Sequence, residues 1–150
     1  MKRDPQLQAV VARMAPGALC REGFLGSDCR ALEEILVADG AAVAALGLTH
    51  GEIADRLSDV YQAAVAGLGT RVDIADGVTA AWREAMGRIP CPWPGDGTFA
   101  KGEVVVEDAG SGRGFVFTAL SVHLIRRHGF YQGRGSRYRL EPEHLAAVLT

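Results

Sequence analysis

A chain of 150 residues with 48 % hydrophobic and 23 % charged side chains has the composition of one ordinary folded domain. A mean hydropathy of +0.08 comes without any run of the roughly 20 apolar residues that a membrane helix needs, so no membrane partner is expected. A net charge of −2 excludes nucleic-acid binding driven by bulk charge alone.

The opening residues lead into no secretory apolar core, and a cytoplasmic location is the expectation. Asp4 can cap a first helix with Pro5 at its first position. Leu7, Val10, Val11 and Met14 share one face of it, and Pro16-Gly17 stops it. Ser27 is read as the cap of a second helix with the stripe Leu32, Ile35 and Leu36, bent or ended at Gly40. Thr49 with Glu52 three residues on makes a capping box, and Ile53, Leu57, Val60, Ala64 and Leu68 carry the third helix. A fourth helix is expected from about Thr79 to Met86.

The texture then changes. Pro90-Cys91-Pro92-Trp93-Pro94-Gly95 fixes too many φ angles for a helix or a central strand. Glu103–Glu107 and Gly114–Thr118 read as the strands of a hairpin, with Arg137–Leu140 as a possible third. Ser121 opens a short helix that ends at Gly129, and Pro142 opens the last one. The predicted fold class is therefore α+β. About four N-terminal helices pack with a small antiparallel hairpin or three-stranded sheet and two short C-terminal helices. The whole is expected to form a single compact domain over 1–150. It has a helical part to about 88, a proline-rich connector over 88–98 and a β-containing part over 99–150.

Charge is unevenly spread. Residues 1–110 hold 10 Lys/Arg against 16 Asp/Glu, and residues 111–150 hold 6 Arg against 2 Glu. All six late arginines fall within 113–139, where there is no acid. Successive helical residues turn by about 100°, which puts His123, Arg126 and Arg127 on one face. The next segment, Gly129 to Arg139, adds Arg134, Arg137 and Arg139 as guanidinium donors. It also adds Tyr131 as a stacking ring, and Gly133 and Gly135 for close backbone approach. The first functional expectation is a small binding module for an anionic ligand, a phosphate-bearing small molecule or RNA, seated between that face and that loop. The plain structural alternative is a connector with solvated arginines.

A second expectation is a zinc-dependent or thiol enzyme centred on Cys91, His123 and His128. His-x4-His occurs at helix ends in zinc sites. Against it, Cys91 has no C-x2-4-C partner, and the two histidines diverge by about 140° on a regular helix. On that spacing both ligate only if the last turn is distorted, and His128 reads as a core histidine satisfied at the helix end. Asp96, Cys20 or Cys29 are the residues available to complete such a site, without a spacing argument for any of them. The cysteine count of three is odd, so no disulfide framework is expected, and Cys20 and Cys29 read as small buried residues. Trp82 and Trp93 flank the proline loop as anchors to the core.

A third expectation is a homo-oligomer in which the arginine loop meets acidic surface on a second copy. The segment Gly47 to Leu57 resembles the first helix of bacterial helix-turn-helix domains. Helical periodicity nevertheless continues unbroken through Ser58–Tyr61, and acids dominate residues 52–76. Sequence-specific DNA binding is not expected.

Overall fold

The computed structural model describes residues 4–150. Three helices come first: α1 (Pro5–Met14), α2 (Leu32–Ala45) and α3 (His50–Ala66). Asp4 caps α1 by accepting from the Gln6 N–H, with Pro5 at the first position. The Thr49 hydroxyl caps α3 by accepting from the Glu52 N–H at 3.1 Å. The second helix starts later than expected. Its N-cap is Ala31 rather than Ser27, and it runs through Gly40 without a break.

Six strands follow: β1 (Val72–Ala75), β2 (Val78–Arg83), β3 (Arg88–Pro90), β4 (Thr98–Ala100), β5 (Glu103–Asp108) and β6 (Arg113–Thr118). The chain ends with α4 (Ala119–His128) and α5 (Pro142–Leu149). The mixture is α+β, with antiparallel pairing throughout. It has three helices before the sheet rather than four, a sheet of order β1-β2-β5-β6, and a separate two-stranded ribbon β3-β4.

The missing fourth helix is β2. Val78 and Ala80 alternate inward, and pairing places Ala80 opposite Val106 and Trp82 opposite Val104. Helix propensity in Ala80-Ala81 loses to the burial gained on the sheet. The two residues between β1 and β2 are Asp76-Gly77, with Gly77 at φ +72°, a strong short hairpin signal. The expected β5–β6 hairpin forms, in register Val105 to Val116. Arg137–Leu140 is not a strand. Turn bonds from Ser136 N–H to Gly133 O and from Arg139 N–H to Ser136 O fold it back on itself. The strands that complete the sheet come instead from residues 72–83.

Two apolar clusters result. The larger lies under the sheet, where Val104, Val106 and Phe117 meet Leu57, Val60 and Leu145. The smaller joins Val10 and Met14 of α1 to Ile35, Cys91, Leu120, Leu124 and Phe130. Helix α4 serves both, with Ile125 in the first and Leu124 in the second. Among the described residues no helix is long and apolar enough to cross a membrane.

Candidate metal centre

The ribbon strands are only three residues long, Pro90 ends β3, and the chain between them, residues 91–97, holds Pro92 and Pro94. Gly95 and Gly97 take positive φ, 77° and 96°, and turn the loop back. The Cys91 N–H then donates to Gly97 O at 3.0 Å, and the Asp96 N–H to Trp93 O at 3.3 Å. From the end of α1, Arg13 donates through Nε to Pro92 O (2.8 Å) and through Nη2 to Cys91 O (2.9 Å). The loop is thus held at both ends and from one side.

Helix α4 lies along the other side. Thr118 and Ser121 form a reciprocal capping box at its start. Gly129 ends it at φ +61°, and a Cβ there would meet the His50 ring at 2.7 Å. The helix is regular to His128, yet His123 and His128 converge. Their Nε2 atoms lie 3.0 and 2.6 Å from the same oxygen, Asp96 Oδ2. The expected divergence is overcome without distortion, because the long imidazole arms lean into the space the loop supplies. Their ring centroids are 5.7 Å apart. Trp93 stacks on His128 at 3.9 Å and 6°, and Phe99 packs on His123 at 4.5 Å. Aromatic faces therefore fix both rings, and His128 answers to Asp96 rather than standing as an isolated core histidine.

One ligand atom from each of Cys91, Asp96, His123 and His128 lies within 4.8 Å of the other three. In a tetrahedral site with metal–ligand bonds of about 2.0–2.3 Å, donors sit about 3.4 Å apart. Small side-chain movements close the difference. The protonation states favour it in part. The His128 pKa is pushed down by burial, against the pull of Asp96, which favours the neutral ring a metal needs. Hydrogen bonding from His128 holds the Asp96 carboxyl below its ordinary value. Burial pushes the Cys91 thiol up, partly offset by a hydrogen bond from the Trp93 backbone. A metal would displace that thiol proton. Thiolate and carboxylate together would neutralise a divalent ion, so the filled site buries no net charge.

Of the three residues available to complete the cluster, Asp96 is the one that does. Cys20 is half-buried against Gly23 O, and Cys29 is exposed rather than buried. Trp93 lines the centre, whereas Trp82 packs on Tyr61 at the sheet.

The arginine segment is arranged differently from the metal centre. Arg126 meets Asp55 at 2.6 Å, Arg137 meets Glu103 at 2.8 Å, and Arg127 lies 3.9 Å from Asp96. Arg139 makes a buried pair with Asp39 and also reaches Glu141. Burial works against its charge, but these carboxylates raise its pKa above the ordinary guanidinium value. Each of the four guanidinium groups lies by a different carboxylate, so these four do not converge on one place. The Arg134 side chain is exposed, and its backbone N–H donates to Asp28. Tyr131 is 1 % exposed, with its hydroxyl 2.9 Å from His50 Nδ1, and stacks on no open surface. Gly133 and Gly135 approach the chain rather than a ligand. A Cβ on either would strike Leu25 O or Ser27 Oγ at 2.3 and 2.6 Å.

No known protein family, curated protein or solved structure matches this chain.

Proposed function

We propose that this protein binds one divalent metal ion, zinc by its donor chemistry, through Cys91, Asp96, His123 and His128. The observation that carries the reading is the convergence of both Nε2 atoms on one carboxylate oxygen, with a buried thiol beside them. Thiolate and imidazole donors together suit zinc over magnesium or calcium. Four protein donors leave no open position, which is the pattern of structural rather than catalytic zinc. The ion would fasten the β3-β4 ribbon and its loop to α4, joining two elements that lie far apart in sequence.

The enzyme reading has less support. Cys91 is 1 % exposed and its thiol is pushed up by burial, the opposite of an activated nucleophile. Anion binding by residues 130–139 rests now on Arg134 and Arg137, the two exposed guanidinium groups of that segment. The test is metal analysis of purified protein, then cobalt substitution. One equivalent of metal and a sulfur-to-cobalt charge-transfer band, both lost in Cys91→Ala, are the expected results. Protein that is folded, metal-free and indifferent to added zinc would end this reading.

A further inference from the structure

Away from the metal centre, a cleft of about 350 Å³ opens between residues 20–24, the end of the sheet and the turn over 132–138. That size is at the lower end of small-molecule sites. Phe24, Ala85, Ile89 and Leu120 give it apolar walls. Its charged lining is mostly cationic: Arg21, Lys101 and Arg137 against a single carboxylate, Glu22. Arg137 already has Glu103. Among the described residues Arg21 and Lys101 form no ion pair.

The decisive residue is Gln132. It lines the cleft and is only 3 % exposed. One end of its amide is engaged, since the Ser136 hydroxyl donates to Oε1 at 2.7 Å. The amide nitrogen donates to no protein group among the described residues. Among the described residues the fully buried side-chain atom without a partner is His144 Nε2, so the Gln132 amide nitrogen is not sealed off, and Gln132 is one of the residues that line the cleft. Gln132 also sits at φ +67°, a left-handed conformation that a glycine would adopt freely. Backbone strain at a non-glycine residue is characteristic of ligand clamps.

We infer that this cleft binds a small organic carboxylate with an apolar body. The Gln132 amide donates to the carboxylate, Lys101 and Arg21 supply the countercharge, and the body lies against Ile89 and Leu120. The amide nitrogen thereby gains the acceptor it lacks. The cleft shares no ligand-donor residue with the metal centre, although Ile89 of the ribbon lines it.

The test uses 4-phenylbutyrate and its neutral amide as probes, followed by 1H–15N shifts on the full chain. Saturable shifts centred on the Gln132 side chain and the Lys101 backbone are expected. The acid should bind up to about five-fold tighter than the amide, as a partly exposed cation–carboxylate contact implies. Lys101→Gln should reduce that preference, and Lys101→Gln combined with Arg21→Gln should remove it. Gln132→Gly should weaken the acid; relief of the left-handed strain is offset by the lost Ser136 hydrogen bond, so an unchanged backbone 1H–15N pattern away from the cleft is the check that the variant is folded. Equal binding of acid and amide overturns the inference. So do shifts centred on His123 and His128, or an absence of saturation at millimolar probe.

Discussion

The main sheet has strands of four to six residues, whereas the ribbon that carries Cys91 and Asp96 has two strands of three. The sheet buries a continuous face. Val78, Ala80, Val104, Val106, Phe115 and Phe117 all point to one cluster with α3 and α5 behind them. The ribbon is smaller and packs on the second cluster through Ile89, Cys91, Trp93 and Phe99. Its loop is held by Arg13, by Trp93 and by a cluster of titratable groups. A three-residue ribbon is too short to be stable on its own apolar contacts. Beside that apolar contact, the loop and α4 bring together four side chains that could hold a metal. Apolar burial thus organises both regions, and among the described residues the second adds a donor cluster that the first lacks.

The strongest way to separate the halves is to remove a donor. Cys91→Ala or His128→Ala should abolish stoichiometric zinc. The loss of affinity should exceed the roughly 10–100-fold that follows removal of an outer-shell partner. Chelation should loosen amides of residues 88–100 while those of β5 and β6 stay protected, as hydrogen exchange would show. Uniform loss of protection across both regions would mean that the two halves are not separable in this way.

The reverse experiment acts on the buried frame. Leu57 is fully buried under the sheet, and Leu57→Ala should cost about 2–5 kcal/mol without altering zinc stoichiometry. Asp39→Ala should cost a similar amount, about 3–5 kcal/mol. It leaves the Arg139 guanidinium, 8 % exposed at its side chain, without its closest carboxylate. Glu141 remains at 3.1 Å and moderates the loss. Denaturant unfolding of the two variants checks both values. A change below about 1 kcal/mol for Asp39→Ala would show that Glu141 alone satisfies the arginine.

Which parts of this were legible follows from how far each signal reaches along the chain. Asp4-Pro5, Thr49, Gly129 and Pro142 mark helix ends through bonds made within a few residues, and the structure has helix boundaries at all four. The 103–118 hairpin was equally local. Strand β2 was not, because Ala80-Ala81-Trp82-Arg83 carries helix propensity and only pairing with β5 makes it a strand. Asp76-Gly77 was the available signal for it. Cys91, His123 and His128 stood out by residue type. Asp96 had no distinguishing spacing, since a hairpin and a sheet crossing lie between it and the histidines. The ion pairs of the arginines were illegible for the same reason. Their partners lie 34 residues away for Arg137 and 71 for Arg126, and Arg139 meets Asp39 100 residues away as well as Glu141, 2 residues on.

A smaller effect comes from pH. Burial lowers the pKa of His50 and of His144, so the folded state holds fewer protons than the unfolded chain at these sites. Stability from both is complete above the ordinary histidine value of about 6.5 and is lost as pH falls through it. His144 has a buried Nε2 with no partner, packed beside Phe115, where a new charge is poorly accommodated. Unfolding free energy should therefore decline from pH 7 to pH 5, with a shallower slope in His144→Gln than in the parent. Parallel slopes would remove His144 from the account. Both histidines lie outside the metal centre, so the comparison is best made with zinc saturating.

The smallest expected change is at Arg126. Its 2.6 Å pair with Asp55 joins α4 to α3, and both side chains are largely exposed, 46 % and 69 %. An exposed pair of this kind contributes at most about 1 kcal/mol, because solvent screens it and two side chains must be ordered to make it. Arg126→Gln should move the unfolding free energy by less than that and leave zinc binding intact. Its value lies in the contrast with Asp39→Ala. Both substitutions break one arginine–carboxylate pair between elements distant in sequence, and they differ chiefly in burial. If the two cost the same, burial does not set the worth of these pairs. The arginine-rich segment would then have to be read as a surface whose charges act together rather than as separate contacts.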